Sequence, residues 1–385
     1  MEAGADQAQA DTGRQLSIDG VRGWAAFSVM CFHAVSILTV PDPTSTSLLY
    51  RIFLNGEFDV AVFFVLSGDA LSVAYWRTGS VAGVVRLAIK RYPRLTIPIF
   101  FSCAIVFILY QFGLTFTHEA AAILRHQDWL GEVLSIRYRL PDLFSFAFAD
   151  VYFRHTETSS LNPPLWTMSI ELLGSILVFV VLLGDRHIRR KTLTLLALTV
   201  LLLVCRSYLA CFIAGVMFGR WRADGVFSRL RGARYASGFP AIAAACMVMA
   251  ASVPLAGTGR VLAFSLLSAA FVFCVLASHQ LDWLFSTALS QWLGRISFPL
   301  YLVHFSVLAS FSAGMVVWAH QGGILAPHIL WLIVVASICL SLLAAIAFEP
   351  VEHLTRKIGN ALSRYVVDDA EPAGRVSVSS NRAKF

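Results

Sequence analysis

Ionisable side chains set inside long apolar runs are where this sequence offers chemistry. A charge held in hydrocarbon costs several kcal/mol, so each such residue is a functional candidate by default. Arg22 and His33 share the first apolar run, eleven positions apart. At about 100° and 1.5 Å per residue, that places them on nearly one face and about 16 Å apart along the axis. One face therefore carries a cation near one membrane surface and an imidazole deep toward the other. Read alone, the pair also fits an arginine that snorkels to headgroups and a histidine that bonds a neighbouring helix. A second intramembrane imidazole, His304, follows Tyr301 by three positions and is its neighbour on a helix. Glu171 lies two turns inside a run that opens Asn162-Pro163-Pro164-Leu165-Trp166. The prolines preset a helix start and Trp166 suits the membrane interface, whereas a carboxylate at that depth needs a His or Arg partner.

The second apolar run carries Ser67-Gly68-Asp69. Ser-Gly lets another backbone or a ligand come close, and Asp69 in mid-helix requires a partner or water. Lys90, Arg91 and Arg94 precede Pro98 at the start of the third run. Lys90 and Arg94, four apart, are expected on one face, where they fit either positive-inside anchoring or a clamp on phosphates. No metal site is expected. Pro350, between Glu349 and Glu352, is expected to stop the last helix.

Spanning helices must position these groups. Of 385 residues, 57% are hydrophobic and only 14% charged, with a mean hydropathy of +0.71; soluble domains are about 25% charged. Windows of about 20 mostly apolar residues, bounded by charge or by Gly and Pro, mark candidate spans. Ten windows result, at roughly 16–38, 57–76, 95–114, 164–184, 191–205, 207–221, 238–255, 260–278, 295–318 and 328–349. The fold class expected is all-α, a polytopic integral membrane protein with about ten transmembrane helices. With the N-terminus inside, Arg77 to Arg94, Arg186 to Lys191, Arg220 to Arg234 and Arg356-Lys357 all fall on the cytoplasmic side. An even count then keeps both termini cytoplasmic. The formal charge of +7 is accounted for by these flanks and the lipid headgroups they meet, so no nucleic-acid partner is expected.

The seven cysteines lie in or at the ends of apolar windows without a CxxC pair and read as small hydrophobes. The first fifteen residues lack the pattern of a cleavable signal peptide. Residues 1–15 are expected to be a disordered cytoplasmic segment, 16–352 the membrane domain, and 353–385 a mostly disordered cytoplasmic tail. Between the third and fourth spans, the apolar run Leu143 to Phe153 is too short to cross and is expected to be interfacial or re-entrant.

Five segments, in order, resemble the acyltransferase-3 family of membrane acyltransferases. They are Asp19-Gly-Val-Arg22-Gly-Trp with His33 following, Val62-Phe-Phe-Val-Leu-Ser67-Gly68, Lys90-Arg91-Tyr-Pro-Arg94 with Pro98, Pro164-Leu-Trp166-Thr-Met-Ser-Ile-Glu171, and Leu293-Gly-Arg295-Ile-Ser297-Phe-Pro-Leu-Tyr301-Leu-Val-His304. The resemblance covers about Leu16 to Glu352. It departs at Asp69, where an aromatic or aliphatic residue is usual, at Lys90, where Arg is common, and in having no hydrolase-like extension after the last helix.

What the resemblance implies is transfer of an acyl group, acetyl in the first instance, from acyl-CoA to a hydroxyl of a cell-surface polysaccharide, lipopolysaccharide or glycolipid. The membrane would be a plasma membrane, a bacterial inner membrane by composition. His33 would be the general base, because imidazole takes a proton near neutrality, with Glu171 orienting it. His304 stays open as the alternative base, and an acyl-histidine relay as the alternative to direct transfer. Arg22, Lys90, Arg91 and Arg94 would receive the donor's phosphates; Ser67, Gly68, Asp69, Trp166, Tyr301 and His304 would line the site. A small cytoplasmic acceptor such as a macrolide keeps the chemistry and changes the partner. A proton-coupled transporter or flippase is the rival of a different class.

Overall fold

The computed structural model describes residues 15–39, 47–125, 130–156, 160–253 and 259–368. Expectations for residues 1–14 and for the tail beyond Asp368 fall outside them. All regular structure among the described residues is helical. Among the described residues seven helices are long and apolar enough to cross a membrane, which makes the chain an all-α polytopic membrane protein. The helices used below are α1 (Leu16–Leu38), α2 (Gly56–Thr78), α3 (Val81–Gln111), α4 (Leu140–Ser145), α5 (Thr167–Gly184), α6 (Lys191–Val204), α7 (Leu209–Ala223), α8 (Phe239–Ser252), α9 (Arg260–Ala277), α10 (Ala288–Val307), α11 (Ala313–Gln321) and α12 (Pro327–Asp368). Three of the ten expected windows form only the shorter α6, α7 and α8, of 14, 15 and 14 residues. The count of ten is therefore not reached by helices of spanning length.

Two boundaries differ from expectation for one reason. The third window begins near Pro98 by hydropathy, yet α3 starts at Val81 and carries Pro93 and Pro98 inside it. Gly79, at φ 65°, ends α2, and the Ser80 hydroxyl caps the new helix by accepting from the Gly83 amide at 3.1 Å. The basic stretch from Arg86 to Arg94 is thus helix, too polar to register as a span. Likewise Pro350 does not stop α12, which continues to Asp368. Beyond Pro350, the buried positions Thr355, Gly359 and Ser363 recur every fourth residue. That stripe of small residues packs on α3, with the Lys90 stem 3.8 Å from where a Gly359 Cβ would stand. This packing holds the helix together across the hydrogen bond the proline removes.

The site is set by how closely α1 and α10 lie. They run parallel, with Gly20 against Ser290, Gly23 against Leu293 and Gly294, and His33 against His304. A Cβ on Gly23 would fall 2.3 Å from the Gly294 nitrogen, so the two backbones touch there. Gly23→Val is accordingly expected to cost about 3 kcal/mol or more, read as a lowered thermal midpoint in detergent. An unchanged midpoint would deny that this contact holds the pair of helices.

The Leu143 to Phe153 run is built from α4, a π-helical turn Phe146–Asp150 and a last turn Val151–Phe153. It lies back along α3. Gln111 donates to the Tyr138 carbonyl (2.9 Å) at one end, and Tyr92 donates to the Phe148 carbonyl (2.6 Å) at the other. Gln111 and Tyr92 are separated by about 28 Å of helix, so the segment doubles back along the length of α3. Phe144 and Phe148 pack tilted against Phe100 and are partly exposed, as apolar side chains facing lipid would be. The segment thus packs along α3 over much of its length.

Candidate functional site

Glu171 is where three helices meet. Its carboxylate forms a short ion pair with Arg91 of α3 and accepts a hydrogen bond from the Ser67 hydroxyl of α2 at 2.8 Å. Arg91 also donates from Nε to the Ser175 hydroxyl, one turn along α5, at 2.7 Å. Both charged side chains are about nine-tenths buried. Such a pair stands only where further hydrogen bonds satisfy its remaining atoms, and Ser67 and Ser175 do so here. The expected partnership of Glu171 with His33 is replaced: Glu171 belongs to Arg91 and Ser67, and the imidazole finds another partner.

That partner is His304. His33 Nδ1 and His304 Nε2 are 3.0 Å apart, and the rings are within 9° of parallel with centroids 5.1 Å apart. This separation approaches the N···N distance plus two ring radii, so the rings meet edge to edge. His304 Nδ1 lies 3.0 Å from the Leu300 carbonyl, to which it can only donate. A neutral His304 therefore presents a lone pair at Nε2 and accepts the proton of His33 Nδ1. His33 is left with its lone pair at Nε2, the form a proton acceptor needs.

A cavity of about 250 Å³ runs between α1, α2, α3, α5, α10 and α12. One end is ringed by cations: Arg22, Arg91, Arg94 and Arg356, with Glu352 among them. Arg22 donates weakly to the Leu66 carbonyl at 3.4 Å, which fixes its guanidinium across α2. Ser67, Glu171, Ser297 and Phe63 form the walls. The other end is closed by Thr167 and Tyr301, whose hydroxyls are 2.6 Å apart; Tyr301 also donates to the Pro164 carbonyl. Asn162 donates to the Leu302 carbonyl at 2.8 Å and ties the same proline-rich turn to α10. His304 is one turn beyond Tyr301, their rings 6.2 Å apart. The cavity thus leads from a basic mouth to the threshold of the histidine pair.

Several residues expected in the wall lie elsewhere. Gly68 faces α7, where a Cβ would sit 2.0 Å from the Phe212 carbonyl oxygen; it serves helix contact. Asp69 is fully buried on that same side, in a short ion pair with Arg222. The one-residue steps from Ser67 to Gly68 and Asp69 turn the chain about 100° each, which carries both away from the cavity. Trp166 is half-buried at the end of the Pro163–Trp166 turn, and its neighbours Thr167 and Met168 supply the lining instead. Lys90 does not share the cavity with Arg91 and Arg94; its ammonium donates to Asn360 of α12 at 2.8 Å. Arg91 and Arg94, three apart, are the pair that faces inward. Sequence reasoning missed Arg356, Glu352 and Thr355, because Pro350 reads as a helix end.

An acyltransferase domain family model matches residues 15–348. No curated protein and no solved structure matches the chain. The match takes in the five motifs, the arginines of the mouth from α1 and α3, Glu171, Tyr301 and both histidines, and on it this integral membrane chain belongs to the acyltransferase-3 family.

Proposed function

We propose that the protein transfers an acyl group, acetyl in the first instance, from acyl-CoA to a hydroxyl of a cell-surface polysaccharide, lipopolysaccharide or glycolipid. The observation that carries this reading is a cavity whose mouth holds four arginines and whose inner end stops one turn short of His304, the imidazole that meets the base-competent His33. A phosphate-bearing donor with a long arm matches it: guanidinium groups take the phosphates, and the arm extends along the apolar walls. The mouth would then face the cytoplasm, in agreement with the basic flanks, and the membrane would be a plasma membrane of the bacterial inner type.

In the reaction, the acceptor hydroxyl oxygen forms a bond to the thioester carbonyl carbon and its proton passes to His33 Nε2. The carbon–sulfur bond breaks, and the departing thiolate takes up a proton, so that an ester and a free thiol result. His304 holds His33 in the tautomer that can accept, and stabilises the imidazolium that forms by taking its Nδ1–H bond. Glu171 acts on the donor side by fixing Arg91 in the mouth. Direct transfer needs no covalent enzyme intermediate.

The test is release of free thiol from acetyl-CoA by the protein in lipid nanodiscs, with and without a surface-glycan extract. Acceptor-dependent release is expected, and Arg94→Ala is expected to raise KM for the donor about tenfold, the worth of one charge-assisted contact, with kcat little changed. Absence of release with any acyl-CoA would move the function to transport by the same buried groups. Release with soluble acceptors alone would move the acceptor to a small molecule.

A further inference from the structure

Beyond the cavity, α3 and α12 enclose a second, open cleft of about 510 Å³, lined by Arg86, Lys90, Asn360, Ser363 and Arg364. Its lining among the described residues holds three cations and no acidic side chain. Arg86 and Lys90 are four apart on α3, and Asn360 and Arg364 are four apart on α12, so each helix presents one pair to the cleft. The 2.8 Å bond from Lys90 to Asn360 holds the ammonium across the gap. The α12 residues lie beyond position 348, where the family match ends, and they exist as a wall only because the helix continues through Pro350.

We propose that this cleft is a phosphate subsite that takes the 3′-phosphate at the nucleotide end of the donor. The proposal rests on the acyl-CoA reading given above. Such a donor carries two separate phosphate centres, a diphosphate and a 3′-monophosphate, joined through one ribose. The protein offers two separate cationic centres on one helix. The midpoint of Arg86 and Lys90 is about 7 Å along α3 from that of Arg91 and Arg94, a gap a ribose can bridge. The order also fits: the cleft is the outer centre, the arginine mouth the inner one, and the histidine pair lies further along the same direction. An anionic lipid headgroup offers the same phosphate chemistry, and the experiment separates it from the donor.

The experiment compares kcat/KM for acetyl-CoA and acetyl-3′-dephospho-CoA in nanodiscs of neutral lipid, then in nanodiscs containing phosphatidylglycerol. Wild type, Arg364→Gln and Lys90→Gln are measured; the glutamine at 90 keeps a polar group toward Asn360 if loss of the lysine disturbs packing. Wild type is expected to prefer the 3′-phosphorylated donor about tenfold. Each variant is expected to bring that ratio toward one, in either lipid. A ratio that stays near tenfold in both variants, or that is one in wild type, overturns the subsite while leaving acyl-CoA as donor. Defects in the variants that affect both donors equally and vary with phosphatidylglycerol assign the cleft to lipid and also overturn it. Absence of turnover with either donor in wild type overturns the donor reading, and the subsite with it.

Discussion

His33→Ala is expected to lower kcat about 10³-fold while leaving donor binding and the thermal midpoint close to wild type, the loss typical of a removed general base. The imidazole makes its ring contact with His304, whereas Arg91 is held by Glu171 and Ser175 and Arg22 by the Leu66 carbonyl. KM for the donor should therefore hold. His304→Ala is expected to cost less, about 10²-fold, because His33 keeps its nitrogen but loses the acceptor that fixes its tautomer. The two variants differ in a further readout. Without His304, the pH dependence of kcat should shift, since the imidazolium loses the neighbour that shares its proton; a merely structural role would lower the amount of active protein without moving the profile. If His304→Ala removes more activity than His33→Ala, the two roles are reversed and His304 is the base.

Asp69→Ala is expected to destabilise the protein by about 3–5 kcal/mol, seen as a large drop in thermal midpoint and in the yield of monodisperse protein. The cause is Arg222, whose side chain is 6% exposed and which would be left with an uncompensated charge among apolar helices. Asp69 and Arg222 tie α2 to α7 at the place where Gly68 brings the two backbones together. The pair itself is a weak source of net stability: Asp69 Oδ1 is buried without a hydrogen-bond partner. Replacing both residues together, as Asp69→Leu with Arg222→Met, is therefore expected to recover most of the loss. Failure of the double variant to recover would show that the carboxylate does more than answer Arg222, and would return Asp69 to the functional residues.

The chemistry was legible where it depended on residue type and the packing where it depended on period. Arg22 and His33 are placed on one face by helical geometry alone; in the structure Arg22 lines the cavity and His33 meets His304. Tyr301 and His304 follow the same rule. What a linear reading lacked was which face meets which helix. Lys90 and Arg94, four apart, look like a clamp, yet Lys90 bonds Asn360 of α12 and lines the outer cleft while Arg94 lines the inner cavity. Ser67, Gly68 and Asp69 look like one motif, yet successive residues of a helix point in different directions, and only Ser67 reaches Glu171. Glu171 needs a cationic or histidine partner by its depth; Arg91 rather than His33 answers only because α3 and α5 pack side by side. The extension of α12 was hidden by Pro350, since local propensity marks a stop that packing on α3 overrides.

A structure of the protein in nanodiscs with a non-hydrolysable acetyl-CoA analogue bound measures the central claim most directly. The diphosphate is expected among Arg22, Arg91, Arg94 and Arg356, the pantetheine arm along Phe63 and Ser297, and the acyl carbon beside Tyr301 on the side of His33. An analogue found outside this cavity, or with its acyl end away from both histidines, would contradict it.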